Sequence, residues 1–143
     1  MVIHAMLGAS GSGKSTFAQK LSKILQVPVI CPDSIRGEVN GDESIQANAP
    51  LVFSIAKTRL IQSLTSRRVA IYDATNYNQK NRKMVEQIAI DHEAKIVWHV
   101  FKVDKSELLR RQQLRGRKVP LYVIEKQLNG LTLPKTGVIV LEQ

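Results

Sequence analysis

The stretch that decides the fold is Gly8-Ala9-Ser10-Gly11-Ser12-Gly13-Lys14-Ser15, which matches the pattern G-x-x-x-x-G-K-[ST]. It lies between an apolar run, Val2 to Leu7, and a segment with helical spacing of apolar residues, Lys14 to about Leu25. Glycines let the backbone curl so that successive N–H groups point at phosphate oxygens, and the following helix adds free N–H groups. The stretch therefore predicts a phosphate-binding loop between a strand and a helix.

Within this loop, two side chains are predicted to contact a nucleotide and its metal ion. We expect Lys14 to place its charge on the β- and γ-phosphates of ATP and Ser15 to offer a hydroxyl to Mg²⁺. The full set of residues predicted to bind the nucleotide in this segment is Gly8, Ser10, Gly11, Ser12, Gly13, Lys14, Ser15 and Thr16. A GTPase is disfavoured because the chain has no Asn-Lys-x-Asp segment. The motif does not select the reaction.

The remainder of the chain alternates between short apolar runs and helical patterns. The predicted strands are 2–7, 27–31, 69–72, 96–103 and 137–141, and the predicted helices are 14–25, 43–66, 79–92, 106–115 and 122–128. This alternation indicates βαβ units and a parallel sheet. We therefore predict one α/β domain over 1–143, of the three-layer P-loop NTPase type, with a five-stranded parallel sheet and a helical arginine lid resembling that of nucleoside monophosphate kinases.

Several apolar residues are predicted to form the buried faces of these elements. In the first helix they are Phe17, Leu21 and Ile24, and in the long helix they are Leu51, Val52, Ile55, Leu60, Ile61 and Leu64. Trp98 lies in a predicted strand, so we expect it in the core.

Composition favours a globular protein with polyanionic partners. The chain has 143 residues, of which 43% are apolar, and a formal net charge of +9, a balance that favours nucleic acid as a partner. Its apolar runs reach only about six residues, far from the roughly 20 needed to cross a bilayer, and no secretory signal is visible, so we expect a cytoplasmic protein without membrane contact. Cys31 is the single cysteine, which excludes an intramolecular disulfide. The oligomeric state cannot be read from the sequence.

Polar residues follow the second and third predicted strands, at the sheet edge where α/β proteins bind ligands. Asp33 could accept the proton of an attacking hydroxyl, or it could only cap a helix; Arg36, three residues on, shares its face or is a solvated cation. Asp73 ends an apolar strand, as a Walker B carboxylate that supports Mg²⁺ does, or is a turn residue. Asn76 could hold this loop or contact the substrate.

Arginines crowd the segment of about 104–120, which we predict to be a lid. Arg110, Arg111, Arg115 and Arg117 lie at the end of a helix and in the turn after it. Arg111 and Arg115 are four residues apart, so we expect them on one helical face that closes over ATP. An arginine on the γ-phosphate can contribute about 10³ to 10⁵ in rate. The alternative is a solvated basic face.

With these segments in hand, the sequence resembles the 5′-hydroxyl polynucleotide kinases, both the bacteriophage type and the kinase module of bacterial RNA end-repair enzymes. The resemblance extends from Gly8 to about Leu131, and the shared segments are Gly8 to Ala18, Asp33 to Gly37, Gly41 to Glu43, Tyr72 to Asn76 and Arg115 to Pro120. The phosphate-binding segment is common to many proteins, whereas Asp33 to Glu43 and the arginine lid are more discriminating.

The resemblance implies an activity and a set of roles. Asp33 would be the general base on the 5′-OH of RNA or DNA, and Arg36 would hold the phosphate next to that terminal nucleoside. Arg115, helped by Arg111, would stabilise the transferring phosphoryl group, with Arg117 as the alternative because lid spacing varies in the family. The choice of adenine also comes from this resemblance.

Two other functions stay open on the same scaffold. One is a small-molecule kinase that acts on a nucleoside, a sugar or an antibiotic. The other is an ATP-binding regulatory module without transferase activity. The sequence does not choose RNA over DNA or single strands over duplex ends.

Overall fold

A computed structural model describes residues 1–115 and 119–142 and shows an α/β fold. In chain order its elements are β1 (Val2–Leu7), α1 (Lys14–Leu25), β2 (Val29–Ile30), α2 (Pro32–Asn40), α3 (Ala49–Arg67), β3 (Val69–Tyr72), α4 (Gln79–Asp91), β4 (Lys95–Lys102), α5 (Lys105–Leu114), α6 (Leu121–Asn129) and β5 (Val138–Glu142). The strands form one parallel sheet in the order β2-β3-β1-β4-β5. The predicted five-stranded parallel sheet is confirmed.

Strand β1 lies at the centre of this sheet, and its alternating side chains enter different layers. Ile3, Ala5 and Leu7 are fully buried in one core cluster with residues of α3 and α4, whereas Met6 is buried in a second cluster beside Ala18 of α1. This period of two separates the helices onto the two faces of the sheet. The carboxyl end of β1, where the phosphate-binding loop begins, is therefore held from both sides.

The segment between β2 and β3 differs from its prediction. Residues 32–40 form a nine-residue helix, α2, which ends at Gly41 with a left-handed backbone (φ 79°). Helix α3 begins at Ala49 rather than at residue 43. Pro50 explains this boundary, because it has no N–H to donate to a preceding turn and is tolerated in the first turn of a helix. Strand β2 is also shorter than predicted.

Two residues that were predicted to be buried, Ile24 and Leu51, are exposed, whereas the predicted burial of Trp98 is confirmed. Ile24 is 76% exposed in the last turn of α1, and Leu51 is 51% exposed, one position away from the buried stripe of α3 that begins at Val52. Small residues of α3, such as Ala56, fill that stripe instead. Trp98 is 3% exposed and lies in the core, as predicted. Within the described residues, no helix is both long and apolar enough to cross a membrane.

Candidate active site

The phosphate-binding loop joins β1 to α1 in a conformation that depends on its first glycine. A Cβ on Gly8 would lie 2.8 Å from the Ser12 Oγ and 2.9 Å from the carbonyl oxygen of Phe101, distances that no side chain tolerates. The Gly8 N–H donates to the carbonyl of Thr75 at 2.9 Å, which ties the start of the loop to the segment after β3. The Ser12 hydroxyl is buried and has no hydrogen-bond partner in the part of the chain that the structure describes. The loop thus keeps a polar group for a ligand.

Lys14 is a buried cation at the first position of α1. Its side-chain Nζ donates to the carbonyl of Ala9 at 2.9 Å, and the residue is 7% exposed. Burial lowers the pKa of Lys14 to about 8, although the carboxylates of Asp73 and Asp33 act in the opposite direction and the Arg115 guanidinium adds to the lowering. An ammonium has three donors, so two remain for phosphate oxygens.

Ser15 and Asp73 place two oxygen atoms side by side next to Lys14. The Ser15 Oγ donates to the Asp73 Oδ2 at 2.7 Å. Burial raises the pKa of Asp73, against the opposing effects of the Ser15 hydrogen bond and the Lys14 charge. Mg²⁺ prefers oxygen ligands and usually takes one or two from protein, with water and phosphate completing the shell. This pair of oxygens therefore fits an ion that arrives with nucleotide phosphates. Among the described residues, no group of three or more His, Cys, Asp or Glu could hold a metal.

Asp33 and Arg36 form an ion pair at the start of α2. The Arg36 Nη1 donates to the Asp33 Oδ1, so the shared face expected from their spacing is present. The Arg36 side chain is 11% exposed, and the Asp33 side chain is 49% exposed. Cys31, not Asp33, occupies the cap position of α2, and Pro32 precedes Asp33 in the first turn. The alternative that Asp33 only caps the helix is therefore wrong.

Two arginines of the lid segment reach the same point of the phosphate-binding loop. The Arg111 Nη1 donates to the carbonyl of Gly11 at 3.2 Å. The Arg115 Nη1 lies 3.2 Å from the position that a Cβ on Gly11 would occupy, and it is buried without a hydrogen-bond partner among residues 1–115 and 119–142. The shared helical face expected for the two is wrong, because α5 ends at Leu114 and Arg115 has an extended backbone (φ −88°, ψ 143°).

The other arginines of this segment have different surroundings. Arg110 forms an exposed ion pair with Glu107 and is a solvated surface residue. Glu107 also accepts from the Arg111 Nε at 3.0 Å. These hydrogen bonds lower the pKa of Glu107 to about 2, with Arg110 making the larger contribution. Arg117, the alternative lid arginine, lies outside the described residues.

Asn76 is buried rather than open to solvent. It is 1% exposed and has a left-handed backbone (φ 47°). The Asn76 Nδ2 donates to the carbonyl of Met6 at 2.8 Å, and the backbone carbonyl of Asn76 accepts from the Arg82 Nη1 at 3.0 Å. These contacts tie the segment after β3 to the end of β1. They favour the alternative in which Asn76 holds the loop.

One large cleft, of about 1440 Å³, brings most of the predicted site residues together. The predicted residues that line it are Ser10, Gly11, Lys14, Ser15, Asp33, Arg36, Asp73, Asn76 and Arg115. Of the other predicted residues that the structure describes, Ser12 lines a second cavity of about 510 Å³ beside Ala9 and Leu108, while Gly8, Gly13, Thr16 and Arg111 line neither. Positively and negatively charged side chains thus both line a cleft that is large enough for a nucleotide.

Sequence reasoning missed one residue that touches the loop directly. The Ser10 N–H donates to the Gln127 Oε1 at 2.9 Å, and Gln127, in α6, is 8% exposed. Only the amide oxygen can accept this hydrogen bond, so the orientation of the amide is fixed. No motif marks Gln127 in the sequence, because its partner lies 117 positions away.

A parallel five-stranded sheet, a Gly-rich loop after its central strand β1 and carboxylates after β2 and β3 define a P-loop kinase-like fold. Residues 3–134 match the sequence profile of the AAA domain family, and the chain therefore belongs to that family. This fold implies binding of a nucleoside triphosphate such as ATP.

Solved structures of several kinases share the fold. A gluconokinase from Sinorhizobium meliloti 1021 is 20% identical, with a TM-score of 0.69, over 97% of this chain and 81% of that chain. A chain of the Pnkp1/Rnl/Hen1 RNA repair complex is 24% identical, with a TM-score of 0.78, over 91% of this chain but only 43% of that chain. The Mycobacterium tuberculosis APS kinase CysC, in complex with AMPPNP and APS, is 17% identical, with a TM-score of 0.64, over 98% and 87%.

Proposed function

We propose that this protein transfers the γ-phosphate of ATP to the 5′-OH end of RNA or DNA. The observation that carries the proposal is the Asp33–Arg36 ion pair, which lines the same cleft as Lys14. A carboxylate suits a hydroxyl acceptor, and a guanidinium beside it suits an acceptor that carries a phosphate close to that hydroxyl. The net charge of +9 and the resemblance to polynucleotide kinases agree with a polyanionic acceptor.

The ATP end of the cleft is formed by the loop after β1. Lys14 contacts the β- and γ-phosphates with the donors that Ala9 leaves unused. Ser15 and Asp73 would hold Mg²⁺ or its water ligands, and an ion bound there would supply positive charge to the phosphates. Further donors are the Ser12 hydroxyl, which no described residue pairs with, and the backbone N–H groups around it. On this account Lys14→Ala abolishes transfer, and near-normal turnover in that variant would refute the placement of ATP.

Asp33 acts as the general base on the acceptor hydroxyl. Its hydrogen bond from Arg36 fixes the direction of the carboxylate, and half of its side chain is open to the cleft. A guanidinium has five N–H donors, so Arg36 retains several for the phosphate next to the terminal nucleoside. Together the two residues hold the hydroxyl and its adjacent phosphate at a set distance, which gives in-line transfer its geometry.

Arg115 stabilises the transferring phosphoryl group from its position against Gly11 of the phosphate-binding loop. Its Nη1 is a buried donor next to Gly11 in the loop, and no described residue is its hydrogen-bond partner. A buried orphan donor costs free energy unless a ligand satisfies it, and an oxygen of the γ-phosphate is a suitable acceptor. Arg111 holds the carbonyl of Gly11 and so acts on the loop rather than on the phosphate. Arg115→Ala is therefore expected to lower kcat more than it raises the KM of the strand.

A small-molecule kinase is the second candidate. The likeness to a gluconokinase favours it, because the match covers 81% of that chain and the acceptor of a gluconokinase is a small molecule. Such an enzyme needs no path for a strand beyond Arg36, and its acceptor binding should show little salt dependence. A strand held by phosphate contacts gives a steep dependence instead.

The variant Asp33→Asn tests the proposal, with Asp91→Asn as its control. Asp91 lies on an exposed position at the end of α4, outside the cleft, so its loss removes the same charge without touching the site. We expect Asp33→Asn to lower transfer to a 5′-OH oligonucleotide by about 10² to 10⁴ with ATP affinity retained, the contribution of a general base. Unchanged transfer in Asp33→Asn would contradict the assignment. If the wild-type protein binds ATP but transfers phosphate to no acceptor, the regulatory module without transferase activity would be favoured.

A further inference from the structure

Beyond the Asp33–Arg36 pair, the cleft continues between two helices that face it with matching stripes. The stripe of α3 consists of Pro50, Phe53, Ser54 and Lys57. The stripe of α4 begins just before that helix and consists of Tyr77, Lys80, Asn81 and Met84. The stripe of α3 has the spacing i, i+3, i+4, i+7, which places its four side chains on one helical face over about 10 Å. In the stripe of α4, Lys80, Asn81 and Met84 share a helical face, and Tyr77 precedes the helix.

Each stripe carries one aromatic ring and one lysine. Phe53 is 41% exposed, although its ring lines the cleft. Lys57 and Lys80 are exposed, and neither forms an ion pair with any residue in 1–115 or 119–142. By contrast, Arg59, two positions beyond Lys57, forms a bidentate pair with Glu38. The lysines of the stripes are thus available to a ligand.

The charge of this part of the cleft is positive. The loop between α2 and α3 contributes Glu43, Ser44 and Gln46 to the lining, and Glu43 is the one carboxylate that the described lining adds beyond Asp33 and Asp73. Lys57 and Lys80 outweigh it. The first turn of each helix, near Pro50 in α3 and Lys80 in α4, adds positive potential from the helix dipole.

We propose that the two stripes form a second acceptor subsite, which binds the nucleotides downstream of the 5′ end of a single strand. Lys57 and Lys80 contact the next phosphates, and Phe53 stacks on a base. An aromatic face accepts any base, and lysines contact phosphates without reading sequence, so the subsite selects for strand length rather than for sequence. The inference rests on the proposed transfer to a 5′-OH end. It adds that the preferred acceptor has several nucleotides.

Acceptor length provides the test. The acceptors are a nucleoside 3′-phosphate and single strands of two and four nucleotides, each with a 5′-OH. The test variant is Lys57→Ala/Lys80→Ala, and the control is Lys20→Ala/Lys83→Ala, which removes two exposed lysines of α1 and α4 that do not line the cleft. We expect the wild-type protein and the control to have a lower KM for the tetranucleotide than for the mononucleotide. In the test variant this ratio should shrink about twofold to thirtyfold, the effect of two exposed ion pairs.

Salt dependence gives a second readout of the same subsite. Two phosphate contacts to a single strand change the slope of log K against log salt by about 1.4, so between 50 and 200 mM salt the wild-type affinity should fall about sevenfold more than that of the test variant. Phe53→Ala should raise the KM of the tetranucleotide with no change in the salt slope, whereas Phe53→Tyr should restore it.

Two outcomes would overturn the inference, and they differ from failure of the proposed function. If the test variant keeps the wild-type KM ratio and salt slope, the stripes do not bind the strand, although transfer to 5′-OH ends still stands. If the wild-type protein itself shows equal KM values for one and four nucleotides, no downstream subsite exists. Absence of transfer to every nucleic acid acceptor would instead contradict the proposed function.

Discussion

The contact between Gly11 and Arg115 leads to a prediction about the lid. Gly11 has a left-handed backbone (φ 84°), and a Cβ added there would lie 3.2 Å from the Arg115 Nη1. In Gly11→Ala the backbone strain costs about 1–2 kcal/mol, and the guanidinium must retreat by a few tenths of an ångström. Since a displacement of about 1 Å in a catalytic group can cost about 10²-fold, we expect kcat to fall about fivefold to tenfold. The assay is steady-state transfer of labelled phosphate from ATP.

Gly41→Ala is the matched control for this substitution. Gly41 also has a left-handed backbone (φ 79°), but a Cβ added there would meet nothing within 4 Å. It should therefore lose stability to a similar degree, a few degrees in Tm, and keep its kcat. Equal kcat values in Gly11→Ala and Gly41→Ala would refute the placement of Arg115 against the transferring phosphate.

Three further predictions concern buried groups around the site and in the sheet. The pKa of Lys14 is about 8, so kcat/KM for ATP should fall as pH rises above 8, while kcat should hold to higher pH because bound phosphates raise that pKa; a pH profile flat to pH 10 would contradict this. Gln127→Leu leaves the Ser10 N–H without its acceptor and should lower the free energy of unfolding in urea by about 1–3 kcal/mol, whereas Gln127→Glu keeps an oxygen there and should lose less; equal losses would argue against the hydrogen bond. Burial and the neighbouring His4 lower the pKa of His99 to about 4, so between pH 6.5 and 4 the unfolded chain takes up a proton that the folded chain does not, and Tm should fall over that range; in His99→Phe this fall should be smaller, and an identical fall would point to other groups.

Much of the fold was predictable because its signals are local. The segment from Gly8 to Ser15 needs only neighbouring residues to form a loop between a strand and a helix, and the bounds of β1, α1 and β3 were predicted as observed. Helix α2 was not among the predicted elements, and the start of α3 was predicted at residue 43 rather than at Ala49, although Pro50 marks that start in the sequence. Here the helical periodicity was given more weight than the residues that begin and end helices.

The parts of the site that escaped prediction depend on contacts between distant segments. Gln127 reaches Ser10 only because α6 packs beside the loop, where Ile124 and Ala9 share a small apolar cluster. The extended backbone of Arg115 likewise depends on where α5 ends. The stripe with Phe53 had a visible signal, its helical spacing, but which side faces the cleft is decided by tertiary packing.

The central claim is that the acceptor is the 5′-OH of a nucleic acid strand. The most direct measurement is transfer of labelled γ-phosphate from ATP to a single-stranded oligonucleotide with a 5′-OH, beside the same strand with a 5′-phosphate and beside gluconate as a small acceptor. We predict label only on the 5′-OH strand, and its loss in Asp33→Asn. No label on either strand, with ATP binding intact, would contradict the claim, and label on gluconate would favour the small-molecule kinase.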